Sequence, residues 1–267
     1  MEKIIFLGTG SAGSTKCYNA CFVLQKGDDF MLVDGGGGIN ILDQIDKANI
    51  PFESIKNIFV THNHIDHIIG IIWVIRKICL MLIDNKYEGD VNIYASDVTI
   101  DAIRTLCNLV LTAKYFAYID DRIHLNVVLD RQSIDILGDN FTFYDIFASK
   151  EKQYGFRIDM TNGKVLVCNG DEKMNESNYD IVRNADFLIH EAFCLESEKE
   201  IKQPYKKGHV TARDVCEMVS QLNVKNLILY HIKSDDVSNR KYQYINENSK
   251  YFNGCLFVPD DLDEISI

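Results

Sequence analysis

The sequence predicts an α/β domain in which two sheets pack together with helices outside. Three observations predict it. Apolar runs of strand length alternate with helical patterns in the first half and again towards the end. A series of strand-like segments fills residues 123–167. Polar residues stand at strand ends in both halves, which favours one domain with a site between the halves.

The elements follow in order. Residues 4–7 (Ile-Ile-Phe-Leu) read as a buried strand ending in Gly8-Thr9-Gly10-Ser11-Ala12-Gly13. That turn resembles a phosphate loop, but no Gly-Lys-Ser/Thr follows and the glycines miss the dinucleotide spacing, so a plain strand-to-loop turn is favoured. Residues 21–24 and 30–33 read as paired strands around Lys26-Gly27-Asp28-Asp29. The second ends at Asp34, followed by Gly35 to Gly38, which let backbone approach closely. Residues 39–48 form a short amphipathic helix, stopped near Asn49 and Pro51. A strand over 58–61 precedes a helix over 68–82 that is apolar on most sides. Residues 91–95 are a strand, and Ser96 or Asp97 can cap the next helix, where Ile103, Leu106, Cys107 and Val110 have helical spacing.

Strands are then expected over 123–128, 133–136, 141–147, 154–160 and 165–167, with Asn162-Gly163 as a hairpin turn between the last two. The segment closes on Asn169-Gly170-Asp171. A buried strand over 187–189 ends at His190-Glu191. A helix over 211–222 carries Ala212, Val215, Cys216, Val219 and Leu222 on one stripe. A strand over 227–230 ends at His231. A last helix over roughly 239–251 precedes a short strand near Leu256.

The chain has 267 residues, 46% of them hydrophobic and 10% aromatic, which suits a full core. A formal charge of −11 argues against broad electrostatic capture of nucleic acid. The start is too soon broken by glycine for a signal peptide, and Arg76 and Lys77 cut the longest apolar stretch, so no membrane span is expected. Eight cysteines without a Cys-x-x-Cys pair read as reduced core thiols of a cytoplasmic protein.

The chemistry begins at His62-Asn63-His64-Ile65-Asp66-His67. Three of the seven histidines fall within six residues, next to a carboxylate. Imidazole and carboxylate are the donors Zn²⁺ prefers. Residues 62 and 64 can point the same way from a strand end, and Asp66 and His67 bend back from the following loop or helix start. Asp171 could bridge two ions, and His231 could close the second.

With these motifs the chain resembles the metallo-β-lactamase superfamily, and within it the ribonuclease Z-like branch. The resemblance covers nearly the whole chain. It is carried by Ile5-Phe6-Leu7-Gly8-Thr9-Gly10-Ser11, Val33-Asp34-Gly35-Gly36-Gly37, the stretch from Phe59 to Gly70 and Gly170-Asp171. Further motifs are His190-Glu191-Ala192-Phe193, Gly208-His209-Val210-Thr211-Ala212 and Leu229-Tyr230-His231. The resemblance implies a single domain over 1–267 with a four-layer αββα sandwich. His62 and His64 would bind a first metal, Asp66, His67 and His231 a second, and Asp171 would bridge. Asp34 would orient a ligand histidine. Glu191 and His209 would pair, with His209 touching phosphate or protonating the leaving oxygen, and Asp66 would orient the nucleophile.

What it implies is a phosphodiesterase acting through metal-bound hydroxide, with one or two zinc ions, or manganese or iron in their place. Two departures stand out. The family's third imidazole for the first metal is missing, and Phe147 or Ser149 occupies its place; Ser149 and Glu151 are the possible substitutes, and His124 lies too far upstream. Nor is there a Gly/Pro-rich arm, and Ile232-Lys233-Ser234-Asp235 follows the last histidine instead of Ser-Pro-Arg-Tyr. The expected substrate is thus a small-molecule or nucleotide phosphodiester rather than transfer RNA, with a homodimer expected from the family alone. The competing readings are a metal-binding protein with a degenerate first site, and a thioester or lactone hydrolase on the same fold.

Overall fold

The computed structural model describes residues 1–233 and 236–267; Ser234 and Asp235, part of the segment read after His231, lie outside the described residues. The strands in chain order are β1 (Lys3–Gly8), β2 (Cys21–Lys26), β3 (Asp29–Val33), β4 (Ile55–Val60), β5 (Val91–Ala95), β6 (Ile123–Val127), β7 (Ser133–Ile136), β8 (Asp139–Asp145), β9 (Tyr154–Asp159), β10 (Val165–Cys168), β11 (Phe187–Glu191), β12 (Asn226–Tyr230), β13 (Cys255–Phe257) and β14 (Glu264–Ser266). The α-helices are α1 (Asn40–Lys47), α2 (Ile65–Ile83), α3 (Asp97–Val110), α4 (Ala113–Phe116), α5 (Tyr179–Val182), α6 (Lys199–Lys202), α7 (Ala212–Gln221) and α8 (Val237–Asn248).

The chain forms two compact units. The first comprises Met1–Gly8, Tyr18–Val128 and Asp261–Ile267; the second comprises Thr9–Cys17 and Leu129–Asp260. The first holds a seven-stranded sheet in the order β14-β1-β2-β3-β4-β5-β6, antiparallel from β14 to β3 and parallel from β3 to β6. Ile5, Leu7, Val23, Leu32, Ile58 and Ile93 pack with Ile41, Ile71, Ile75 and Ile103 of α1, α2 and α3 in one core. Ile4, Phe6, Phe22, Met31 and Phe59, which alternate with those residues along the strands, are buried as well. A sheet covered on both faces needs near-continuous apolar strands, and that is how β1 to β4 read. Each such side chain contributes about 1.5–3 kcal/mol on burial.

The second unit holds the sheet β13-β12-β11-β10-β9-β8-β7, parallel from β13 to β10 and antiparallel beyond. Val215, Cys216 and Val219 of α7 and Tyr244 of α8 share a core with Val167, Leu188, Leu227 and Leu229. The Asn162-Gly163 turn joins β9 to β10 as expected, with Gly163 at φ +84°.

Some elements differ from the sequence expectation. Helix α2 starts at Ile65 and not at 68, so Asp66 and His67 belong to its first turn. Strand β8 ends at Asp145 and not at 147, because Asp145 Oδ1 accepts the Phe147 amide (2.7 Å) in a side-chain turn. The closing strand β14, only three residues long, carried too little pattern to be foreseen. Among the described residues no cysteine is in a disulfide, with Cys17 partly exposed and Cys255 exposed. No described helix is long and apolar enough to cross a membrane.

Candidate metal and catalytic centre

The first unit's contribution is built where β4 runs out. Parallel pairing of β4 with β3 and β5 ends at Val60, and the backbone continues extended to His64, which opens α2 at φ −65° and ψ 151°. The His64 carbonyl accepts from the His67 and Ile68 amides, both at 3.0 Å. Asp66 therefore sits in the first helical turn, where the positive end of the helix favours a carboxylate.

One buried carboxylate fixes this loop. Asp34 follows β3 in the left-handed region at φ +58°. Its Oδ1 accepts the Thr61 amide (2.8 Å), and its Oδ2 accepts the Thr61 hydroxyl (2.8 Å) and His67 Nδ1 (2.8 Å). The Thr61 hydroxyl has a single hydrogen, and Asp34 takes it. His62 Nδ1, 2.9 Å from that oxygen, must then be the donor. Both His62 and His67 are left with Nε2 as the ligating nitrogen. His62 Nε2 lies 2.9 Å from His64 Nδ1, and His67 Nε2 lies 3.5 Å from Asp66 Oδ2. The His62 ring centroid is 4.4 Å from that of His64 and 4.2 Å from that of His67. Glycine makes this possible: a Cβ on Gly70 of α2 would fall 1.7 Å from the Gly35 carbonyl oxygen.

The second unit gathers its polar residues from four separate places. Asp171 follows β10, its amide donating to Gln153 Oε1 (3.0 Å). His231 follows β12, and its Nε2 meets Asp171 Oδ2 at 2.8 Å. It is held at φ +53°, a conformation that costs about 1–2 kcal/mol for a residue with a Cβ. Glu191 ends β11, fully buried; its Oε2 lies 2.8 Å from His209 Nδ1 and 3.7 Å from His231 Nδ1. His209 Nδ1 also lies 3.0 Å from the Asp171 carbonyl. With Nδ1 occupied, Nε2 is the nitrogen His209 can present. Its ring stacks on Phe193 at 4.5 Å with planes 5° apart, and the Lys207 and Lys233 ammonium groups lie 5.3 and 5.9 Å from the centroid of that phenyl ring.

His190, next to Glu191, points to the other side of β11. Its Nδ1 donates to the Glu191 carbonyl (2.8 Å) and its Nε2 faces the Asn169 amide nitrogen (3.3 Å). Burial pushes its pKa below the ordinary 6.5. It is a neutral structural histidine.

These donors suit a divalent transition metal. Ligand atoms of Asp66 and His67 lie within 4.8 Å of each other, as do those of Asp171 and His231, and those of Glu191, His209 and His231. Imidazole nitrogens with preset tautomers beside carboxylates are the donor set zinc takes.

The place of the expected third imidazole is different. Phe147 sits at φ +55° and is about half exposed. The Ser149 amide and hydroxyl donate to the Glu172 carboxylate at 2.9 and 3.1 Å, and Glu151 is exposed. Ser149 is therefore already committed to a carboxylate. His124, on β6, pairs with Asp90 (2.9 Å). Gln153 stands in no sequence motif, and the motifs that hold Asn169 and Phe193 give no sign of their contacts with His190 and His209.

Comparison with known proteins follows the same lines. The sequence profile of the family described as "Anti-Pycsar protein Apyc1" matches residues 2–249. A ribonuclease Z of Archaeoglobus fulgidus is 26% identical over 97% of this chain and 95% of its own length. Among solved structures, the metallo-β-lactamase fold protein YhfI of Bacillus subtilis superposes with a TM-score of 0.81 at 19% identity, covering 100% of this chain and 99% of its own. The short form of human tRNase Z does so with a TM-score of 0.76 at 22% identity, covering 99% of each chain. The α/β fold is thus that of the metallo-β-lactamase type, and the expectation of a ribonuclease Z-like member of that superfamily holds.

Proposed function

The chain belongs to the family of the anti-Pycsar protein Apyc1, and from that premise we propose that it is a metal-dependent phosphodiesterase acting on a small nucleotide phosphodiester. The observation that carries this reading is the pair of buried Glu191 and partly exposed His209, whose 2.8 Å contact leaves His209 Nε2 to serve a leaving oxygen.

In this reading His62, His64, Asp66 and His67 of the first unit and Asp171 and His231 of the second hold one or two divalent ions. Zinc fits the donors; manganese or iron is the alternative. Such ions lower the pKa of water to about 7 and polarise the phosphate. Asp66 would help to hold the metal and would orient the attacking water. Asp34 accepts from His67 Nδ1, so that Nε2 would be the nitrogen that holds a metal. Glu191 stabilises the imidazolium of His209, which gives its Nε2 proton to the departing alkoxide. Proton transfer of this kind is typically worth about 10²–10⁴-fold. Phe193 fixes the plane of the His209 ring. Lys207 and Lys233, beside the same phenyl ring, add positive charge where an anionic substrate would lie. A nucleotide-sized substrate accords with the net charge of −11, which disfavours a long polyanion such as transfer RNA.

Hydrolysis of a chromogenic phosphodiester with Zn²⁺, Mn²⁺ and Fe²⁺ tests the proposal. Wild type should turn over with at least one of them, and His209→Ala should bind the same metal yet turn over far more slowly. Cleavage of thioesters or lactones with no diesterase activity would replace phosphate by those bonds.

A further inference from the structure

The glycine-rich turn after β1 and the helix α8 carry no metal-binding residue, yet in the second unit they converge on one. His231 stands at φ +53°, and such a conformation persists only where its surroundings over-determine it. The constraint acts on the next residue. The Ile232 amide donates to the Thr9 carbonyl (3.0 Å), and the Ile232 carbonyl accepts the Ser11 amide (3.3 Å), so that Gly10 and Ile232 form a short parallel bridge. Thr9 is held in turn by Arg240 of α8. Arg240 is fully buried; its Nη2 lies 2.9 Å from each of Thr9 Oγ1, the Pro259 carbonyl oxygen and Asp260 Oδ1, which share its two hydrogens. A buried guanidinium is retained only with partners of this kind, and removing them leaves an uncompensated charge.

We propose that Arg240 and Thr9 are positioning residues for His231: the guanidinium holds the 9–11 turn, the turn holds the Ile232 backbone, and that backbone holds the imidazole against Asp171. The expected effect on metal affinity rests on the reading of His231 as a ligand. The geometric claim does not.

Two measurements separate them. Side-chain NMR of histidine-labelled, metal-free protein reports the ring of His231 directly. Thr9→Val and Arg240→Met should shift or broaden the His231 signal and leave that of His124, in the other unit, unchanged. Competition with a chromogenic chelator should show metal affinity about ten-fold lower in both variants, within the range seen when a ligand's support is lost. Arg240→Lys, which keeps the charge, should recover part of each effect. Adding Arg240→Met to His231→Ala should cost no further affinity. Should Arg240→Met fail to fold, Thr9→Val, which removes one hydroxyl, decides the matter. A His231 signal at its wild-type position in folded Thr9→Val would overturn the proposal, as would equal disturbance of every histidine. Wild-type protein that neither binds metal nor cleaves a diester would instead overturn the proposed function, with the NMR comparison still deciding the brace.

Discussion

The first unit collects its polar residues along the sequence; the second collects them in space. His62, His64, Asp66 and His67 lie within one turn of chain, and a single carboxylate, Asp34, fixes two of the imidazoles and the strand end between them. Asp171, Glu191, His209 and His231 come from four separated segments, and each needs its own support: Gln153 for Asp171, strand β11 for Glu191, the stacked Phe193 for His209 and the 9–11 turn for His231. A contiguous site has one point of failure. A dispersed one has several, each weaker. Where the second unit is expected to add one more imidazole it offers Ser149, bound to Glu172.

This contrast can be broken or sharpened by substitution. The largest effect is expected from removing a ligand in either unit: His67→Ala or His231→Ala should lower diesterase turnover by about 10³-fold, since metal charge stabilisation is worth several kcal/mol at 1.36 kcal/mol per decade. Elemental analysis should show metal lost alongside. Next comes His209→Ala, with turnover down by about 10²–10⁴-fold and metal content at the wild-type level. Loss of metal in that variant would make His209 a ligand and not an acid. Asp34→Asn tests the single point of failure. It should weaken metal binding by about 10–100-fold, read by chelator competition, whereas Gln153→Leu, which removes one of several supports, should cost less. An Asp34→Asn protein with unchanged affinity would contradict the contrast itself.

Ser149→His addresses the missing imidazole. It frees Glu172 and should raise the affinity of the weaker metal equivalent, measured as metal bound per chain at limiting concentration. The smallest effect concerns His190. Burial depresses its folded-state pKa below 6.5, so as pH falls the unfolded chain takes up the proton first. Its contribution is present above pH 6.5 and is lost as pH drops below it, with a slope of at most about 1.36 kcal/mol per pH unit. Denaturant melts of His190→Gln should lack that slope.

Much of this was legible in the sequence because it is local. The 62–67 motif, the Asn162-Gly163 turn and the stripe of α7 depend on neighbours a few residues away. Even the Asp34–His67 and Glu191–His209 contacts could be anticipated through family resemblance. What could not be read depends on distant partners. Gln153 is one polar residue in a loop until Asp171 folds over it. Nothing in the last helical pattern marks Arg240, whose buried guanidinium depends on Thr9, Pro259 and Asp260. The apolar pattern starts α2 three residues late because polar His and Asp interrupt it. Those residues serve the site, and local pattern fails there for that reason.

His67 and His231 are proposed to serve one metal-dependent reaction. The most direct measurement is the phosphodiesterase rate of His67→Ala, His231→Ala and the double variant, each with saturating metal. The double variant should be no slower than either single one, because each substitution alone already removes the shared function. Losses that multiply in the double variant, or single variants with wild-type rates, would contradict it.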